Sequence, residues 1–163
     1  GNHLKRTRKY LTPLGFGVVG LSLLLQGCAT SRDAGPTALS GPRSDVVEAA
    51  LSEMGTRYVY GAEAPGKALD CSALTQHAHR AAGVNIPRVS TAQQDAAKPV
   101  KLSKVRPGDL VFFKIGGGQY HVGLMVDKNR FVHASTSKKQ VRLSSLDADY
   151  WRRRVVGAGT YLN

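Results

Sequence analysis

Residues 108–135 read GDLVFFKIGGGQYHVGLMVDKNRFVHAS, apolar runs separated by glycines and by Asp127, Lys128 and Asn129. β-branched and aromatic residues bounded by such turn formers mark strands. Runs near Leu110 to Lys114, Val122 to Val126 and Arg130 to Ala134 therefore predict an antiparallel meander, which Val141 to Leu143 and Val155 to Leu162 extend. Upstream, the spacing of apolar residues is helical. Ser44 is expected to cap a helix carrying Val46, Val47, Ala50, Leu51 and Met54, with Gly55 as its terminator. A second helix is expected from Asp70 or Cys71, carrying Ala73, Leu74, Ala78, Ala81 and Ala82, to Gly83. Ser90 with Gln93 three residues on has the form of a capping box for a third, short helix that stops before Pro99. Helices first and strands after give an α+β class, with an antiparallel sheet packed on the helices.

Two histidines lie in the predicted hairpin. If its turn spans residues 127–129, residue 126 faces 130, His133 lies opposite Gly123, and His121 is its diagonal neighbour on the same face. A two-residue turn would send the two side chains to opposite faces. Asn129 tolerates the left-handed backbone that a three-residue turn needs. A joint role for the histidines thus demands an odd-length turn, or a bulge, between them. Cys71 falls at the start of a predicted helix, where unpaired amides and the helix dipole favour a thiolate. Taken singly, a cysteine on a helix is more often packing, and lone histidines more often ordinary strand residues.

The chain has 163 residues, 23 Lys plus Arg and 11 Asp plus Glu, a net charge of +12. Such a balance points first to nucleic acid, but the excess is unevenly placed. Lys5, Arg6, Arg8 and Lys9 precede an uncharged run from Leu11 to Leu25, too short to span a bilayer and suited to the apolar core of an export signal. The run ends in Leu25-Gln26-Gly27-Cys28, a lipobox pattern in which Cys28 would be lipidated after cleavage. Residues 1–27 are thus expected to be a signal peptide. Residues 28–43, rich in Gly, Pro, Ser and Thr, are expected to be a flexible tether, and 44–163 the working domain. A disulfide from Cys28 to Cys71 is permitted in an oxidising compartment, though Cys28 sits before the tether. The remaining positive charge favours an anionic cell-wall polymer or membrane surface, and no nucleic acid.

Asp70-Cys71-Ser72, Ile86-Pro87-Arg88, Gly108-Asp109-Leu110-Val111-Phe112-Phe113, His121-Val122-Gly123 and Phe131-Val132-His133-Ala134-Ser135 resemble, in order and spacing, the motifs of NlpC-type cell-wall peptidases. With the leader, the chain is especially similar to Spr-type lipoprotein murein endopeptidases of Gram-negative envelopes. The resemblance implies a papain-like fold and hydrolysis of amide bonds in peptidoglycan stems or cross-links. It implies Cys71 as nucleophile, His121 as general base and His133 as the polar group that orients it. Tyr58, in Gly55-Thr56-Arg57-Tyr58-Val59-Tyr60-Gly61, matches a tyrosine beside the nucleophile that would help hold the oxyanion. Ser72 and Arg88 match positions lining or supporting the substrate cleft. The family usually has glycine where Ala62 and Ala73 stand, and one extra residue lies between Tyr58 and Cys71, so the loop from Ala62 to Lys67 would shape the cleft differently. No cofactor or metal is implied. A monomer is expected, held by the Cys28 lipid in the outer membrane facing the periplasm, because Ala29 is not the aspartate that commonly retains lipoproteins in the inner one.

Two rivals keep the same cleft: a non-catalytic envelope module that binds peptidoglycan or tethers a partner, and a thiol-dependent acyltransferase. A zinc site at His77 and His79 with Cys71 is disfavoured, because residues two apart on a helix face different ways. Lys138-Lys139 and Arg152-Arg153-Arg154 read as solvated charges, and Gly116-Gly117-Gly118 as a flexible connection between strands.

Overall fold

The computed structural model describes residues 40–163 and, upstream, only Gly15 and Gly17. The leader, Cys28 and the tether as far as residue 39 lie outside the described residues. Helices α1 (Pro42–Ser52), α2 (Cys71–Arg80) and α3 (Ser90–Ala96) alternate with short strands β1 (Arg57–Tyr58), β2 (Glu63–Ala64), β3 (Ala68–Leu69) and β4 (Lys98–Pro99). Longer strands follow: β5 (Leu110–Ile115), β6 (Gln119–Met125), β7 (Arg130–Ala134), β8 (Val141–Ser145) and, after a one-turn helix α4 (Asp149–Arg152), β9 (Val155–Thr160). The six-stranded sheet runs β4-β9-β5-β6-β7-β8, every pair antiparallel. The expected α+β class is present, and the meander runs from β5 to β8, whereas β9 returns to pair with β5 instead of extending it past β8.

The hairpin register is the one an odd turn requires. Leu124 pairs with Val132 and Met125 with Phe131. The Asp127 carboxylate accepts from the amides of Asn129 and Arg130 and pins the turn. Along β5 to β7 the even-numbered Leu110, Phe112, Val122, Leu124, Val132 and Ala134 pack in one core with Val46, Val47 and Ala50 of α1 and Leu74 and Ala78 of α2. The odd-numbered Val111, Phe113, Ile115, Met125 and Phe131 form a second core with Leu146, Trp151 and Val155.

Three further expectations are corrected. Helix α1 starts at Pro42, with Ser44 already inside its first turn, because proline presets the helical φ. The folded part therefore reaches into the segment read as tether: Arg43 is buried, pairs with Asp109 at 2.8 Å and donates to the carbonyls of Pro107 and Asn163. Met54 is exposed, since α1 ends before it. Ser90 and Gln93 form no capping box. Gln93 is fully buried instead, donating to the carbonyls of Ser72 and Pro87 and accepting from Thr75 Oγ1.

The small sheet β1-β3-β2 was not foreseen. Its strands are two residues long, too short for a periodicity signal. It pairs β1 with β3 in parallel, Tyr58 beside Leu69, which brings Tyr58 next to the segment that opens α2.

Candidate active site

Cys71 is the first residue of α2, and Asp70 caps that helix, its carboxylate accepting from the Ala73 amide at 2.8 Å. Capping satisfies a helix-end donor that would otherwise go unpaired and fixes where the helix begins. The same carboxylate takes two bonds from the Arg88 guanidinium, at 3.0 and 2.9 Å, and one from the Gly61 amide. Arg88 also donates to Ser72 Oγ at 2.9 Å and, through Nε, to Glu63 at 2.8 Å. Every arm of Arg88 is engaged, so Arg88 and Ser72 brace the cleft wall at the helix that Cys71 opens. Their bond to Asp70 draws α2, the loop before α3 and the small sheet into one unit. The loop from Ala62 to Lys67 supplies Glu63.

Cys71 lies on a cleft of about 420 Å³ lined by Tyr58, Tyr60, Arg88, Val89, Gln119 and Tyr120, among others. The amides of Val122, Ser72 and Cys71 itself lie close enough to the sulfur to favour its thiolate. Burial outweighs them and pushes the thiol up to about 11. The Tyr58 phenol is raised as well, first by burial and then by the neighbouring Cys71 and Asp70, so it stays protonated and able to donate.

The histidines meet behind this cleft. His121 on β6 and His133 on β7 are nearly fully buried, and His121 Nε2 lies 2.8 Å from His133 Nδ1. The described β6–β7 pairing is confined to the turn end of the hairpin; farther along, the imidazoles bridge the two strands. Trp151 stacks on His121 at 5.8 Å and meets His133 edge-on at 4.8 Å, while Phe113 and Phe131 close the same wall. This dry setting disfavours imidazolium. Burial pulls His121 down to about 4. His133 is lowered too, by burial first and then by the neighbouring His121 and Arg142. With Nε2 committed to His133, the remaining nitrogen of His121 is Nδ1. The two groups are linked through β6, since Val122, whose amide faces the Cys71 sulfur, follows His121.

Cys71, Tyr58, Ser72 and Arg88 thus share one cleft, and His121 and His133 join each other on β6 and β7, with His133 on a second cavity and the residue after His121 facing the sulfur. Sequence reasoning missed Asp70 as the hub of the wall, and Trp151 as the cover of the histidines. Asp70 had a visible signal, a capping residue immediately before Cys71. Trp151 had none, being followed by three arginines that read as solvent-facing. His77 lies 3.5 Å from Glu53, whereas His79 is buried and donates from Nδ1 to the Thr75 carbonyl. The two point apart, as their spacing implies.

Helices packed on an antiparallel sheet, with a cysteine opening one helix beside a histidine-bearing strand, define the papain-like arrangement. Within that class the chain belongs to the NlpC/P60 family, which residues 55–160 match. It is 37% identical over 113 residues to the murein DD-endopeptidase MepS/murein LD-carboxypeptidase of Escherichia coli K12, covering 69% of this chain and 59% of that protein. It is 34% identical over 121 residues to the gamma-DL-glutamyl hydrolase of Bacillus subtilis 168, covering 72% and 29% respectively. Among solved structures, a lipoprotein-like NLP/P60 protein of Staphylococcus aureus Mu50 superposes with a TM-score of 0.67 at 31% identity, covering 80% of this chain and 45% of that one. The chain spans less than two thirds of the length of each of these proteins.

Proposed function

We propose that this domain is a cysteine-type peptidoglycan endopeptidase, hydrolysing an amide bond in peptide stems or cross-links during cell-wall remodelling. The observation that carries the reading is Cys71 on an open cleft, its sulfur facing the amide of the residue that follows His121, with His121 bonded to His133 in a dry wall. Thiol and imidazole both rest neutral, since each is pushed toward its uncharged form. Attack on the substrate carbonyl moves the thiol proton to His121 Nδ1 as the carbon–sulfur bond forms. Tyr58 and the Cys71 amide donate to the oxyanion. The Nδ1 proton then passes to the leaving amine, and water, with His121 as base, cleaves the thioester. His133 accepts from His121 Nε2–H and steadies the transient imidazolium. Ser72 and Arg88 hold the wall against which the peptide lies.

The relatives' named activities, on murein and on gamma-DL-glutamyl bonds, support an amide between unusual amino acids as substrate. In the same reading residues 1–27 are a signal peptide, and Cys28 carries the lipid that holds the domain at the outer membrane, facing the periplasm. Purified protein incubated with sacculi should release soluble muropeptides, and their masses assign the bond to D-Ala–diaminopimelate or to D-Glu–diaminopimelate. Cys71→Ala should release none while melting as the parent does. Undiminished release by that variant would sink the proposal.

A further inference from the structure

The histidine pair does not end at His133. Its Nε2 lies 2.8 Å from Ser144 Oγ on β8, and Ser144 lines a second cavity, of about 280 Å³, with Lys138, Arg142 and Trp151. A chain of hydrogen bonds thus runs from His121, through His133, to a hydroxyl at a cavity distinct from the Cys71 cleft. The direction of that chain decides whether His121 works as a base. A neutral imidazole carries one N–H, and the other nitrogen accepts. If His133 holds its proton on Nδ1, it donates to His121 Nε2; the His121 proton then sits on Nδ1, and the ring offers Cys71 no lone pair. If His133 holds its proton on Nε2, it donates to Ser144 Oγ and accepts from His121 Nε2–H, which leaves His121 Nδ1 unprotonated. Once His121 becomes imidazolium it must donate from both nitrogens, so only this second direction survives the reaction.

We propose that Ser144 is a positioning residue that holds His133 in its Nε2–H form and so keeps His121 Nδ1 available to Cys71. A serine suits the place because it accepts from His133 without bringing a charge into the wall. Arg142, paired with His133 across β7 and β8, discourages a second proton on that ring. The inference rests on the catalytic reading above, but two of its readouts do not need peptidoglycan. In the full chain labelled with ¹⁵N-histidine, ring shifts should place the His133 proton on Nε2, and Ser144→Ala should give a mixture with the Nδ1–H form. Alkylation of the Cys71 peptide by iodoacetamide at neutral pH, followed by mass spectrometry, should slow about tenfold in Ser144→Ala, as should kcat on muropeptides, with KM unchanged. Ser144→Thr, which keeps the hydroxyl, should restore both. Parental alkylation and kcat in Ser144→Ala, a loss confined to melting temperature, or an Nδ1–H His133 in the parent would each overturn the proposal. Were the parent to release no muropeptide, the endopeptidase reading would fall, while the ring shifts and the alkylation rate would still decide the role of Ser144.

Discussion

Two polar assemblies flank Cys71, and they are built on opposite principles. The Asp70, Arg88, Ser72 and Glu63 cluster is ionic, reaches solvent, and engages each arm of its guanidinium. The His121, His133 and Ser144 chain holds no formal charge and is covered by Trp151, Phe113 and Phe131, with its Ser144 end at the second cavity. Standing charges fix geometry: a capped helix and a bidentate arginine leave the sulfur one place to be. A dry, neutral chain makes any standing charge costly, so charge appears there only while a proton is in transit. In the proposed mechanism the first assembly places Cys71 and the second activates it. Breaking each should therefore fail in a different way.

The largest effect is expected in the neutral chain. His121→Ala should cut kcat for muropeptide release by roughly 10⁴-fold, as loss of a catalytic base does. Cys71 alkylation in that variant should require alkaline solution, because the thiol, raised to about 11 by burial, has lost its acceptor. Rapid alkylation at neutral pH would show that the amides of Val122 and Ser72 suffice to make the thiolate, and would end the division of labour drawn above.

The ionic cluster should lose stability first. Asp70→Ala removes the α2 cap and two charge-assisted bonds of Arg88, which keeps Glu63 and Ser72, costing about 3 kcal/mol. For a domain of this size that is a fall of roughly 10 °C in melting temperature, read by circular dichroism. Arg88→Ala should cost less, since its guanidinium is partly in water and Asp70 keeps the Ala73 and Gly61 amides as partners. Equal losses for the two variants would mean that the cap contributes nothing.

The two assemblies were unequally legible in the sequence. The histidine pair could be placed because a strand's period of two and one turn length determine which side chains share a face, and residues 127–129 set that length. Cys71 could be placed because a helix start has a local signature. Arg88, Ser144 and Trp151 reach the site from separate elements, and nothing in the spacing of residues 70 and 88, or 133 and 144, reports that they touch. Gln93 shows the converse: a sound local motif, Ser90 with Gln93, was overruled because the buried carbonyls of Ser72 and Pro87 needed a donor. Pro42 and Arg43 were read as tether from composition, although Arg43 has a buried partner 66 residues away.

Acid separates the assemblies again, through stability. His121 binds its proton near 6.5 when unfolded and near 4 in the fold. Between those values the unfolded chain holds more protons, so stability falls as pH falls, by about 3 kcal/mol across the window from this residue alone. His133 and His79, also lowered by burial, act in the same direction. The urea midpoint should therefore drop steadily from pH 7 to pH 4.5, and His121→Gln should remove part of that slope. A midpoint flat over this range would mean that the histidine wall admits charge freely.

The smallest change probes how tightly that wall is packed. Gly123 precedes the paired Leu124 on β6, and a β-carbon built there would meet Phe131 Cδ2 at 2.5 Å and two further ring atoms at 3.3 Å. Phe131 cannot yield easily, since its ring packs on Phe113, His133 and Trp151 at 5.0, 4.9 and 5.2 Å. Gly123→Ala should thus cost about 1 to 3 kcal/mol as overpacking and, by displacing the ring beside His133, lower kcat more than KM. The loop that follows Glu63 offers a control in Gly66, where an added β-carbon meets nothing within 4 Å but the backbone has a φ of +76°. Gly66→Ala should cost about 1 kcal/mol through backbone strain and leave kcat per folded molecule untouched. If both substitutions lowered kcat alike, the histidine wall would hold no special claim on packing; a fall in kcat confined to Gly123→Ala ties turnover to the position of one aromatic ring.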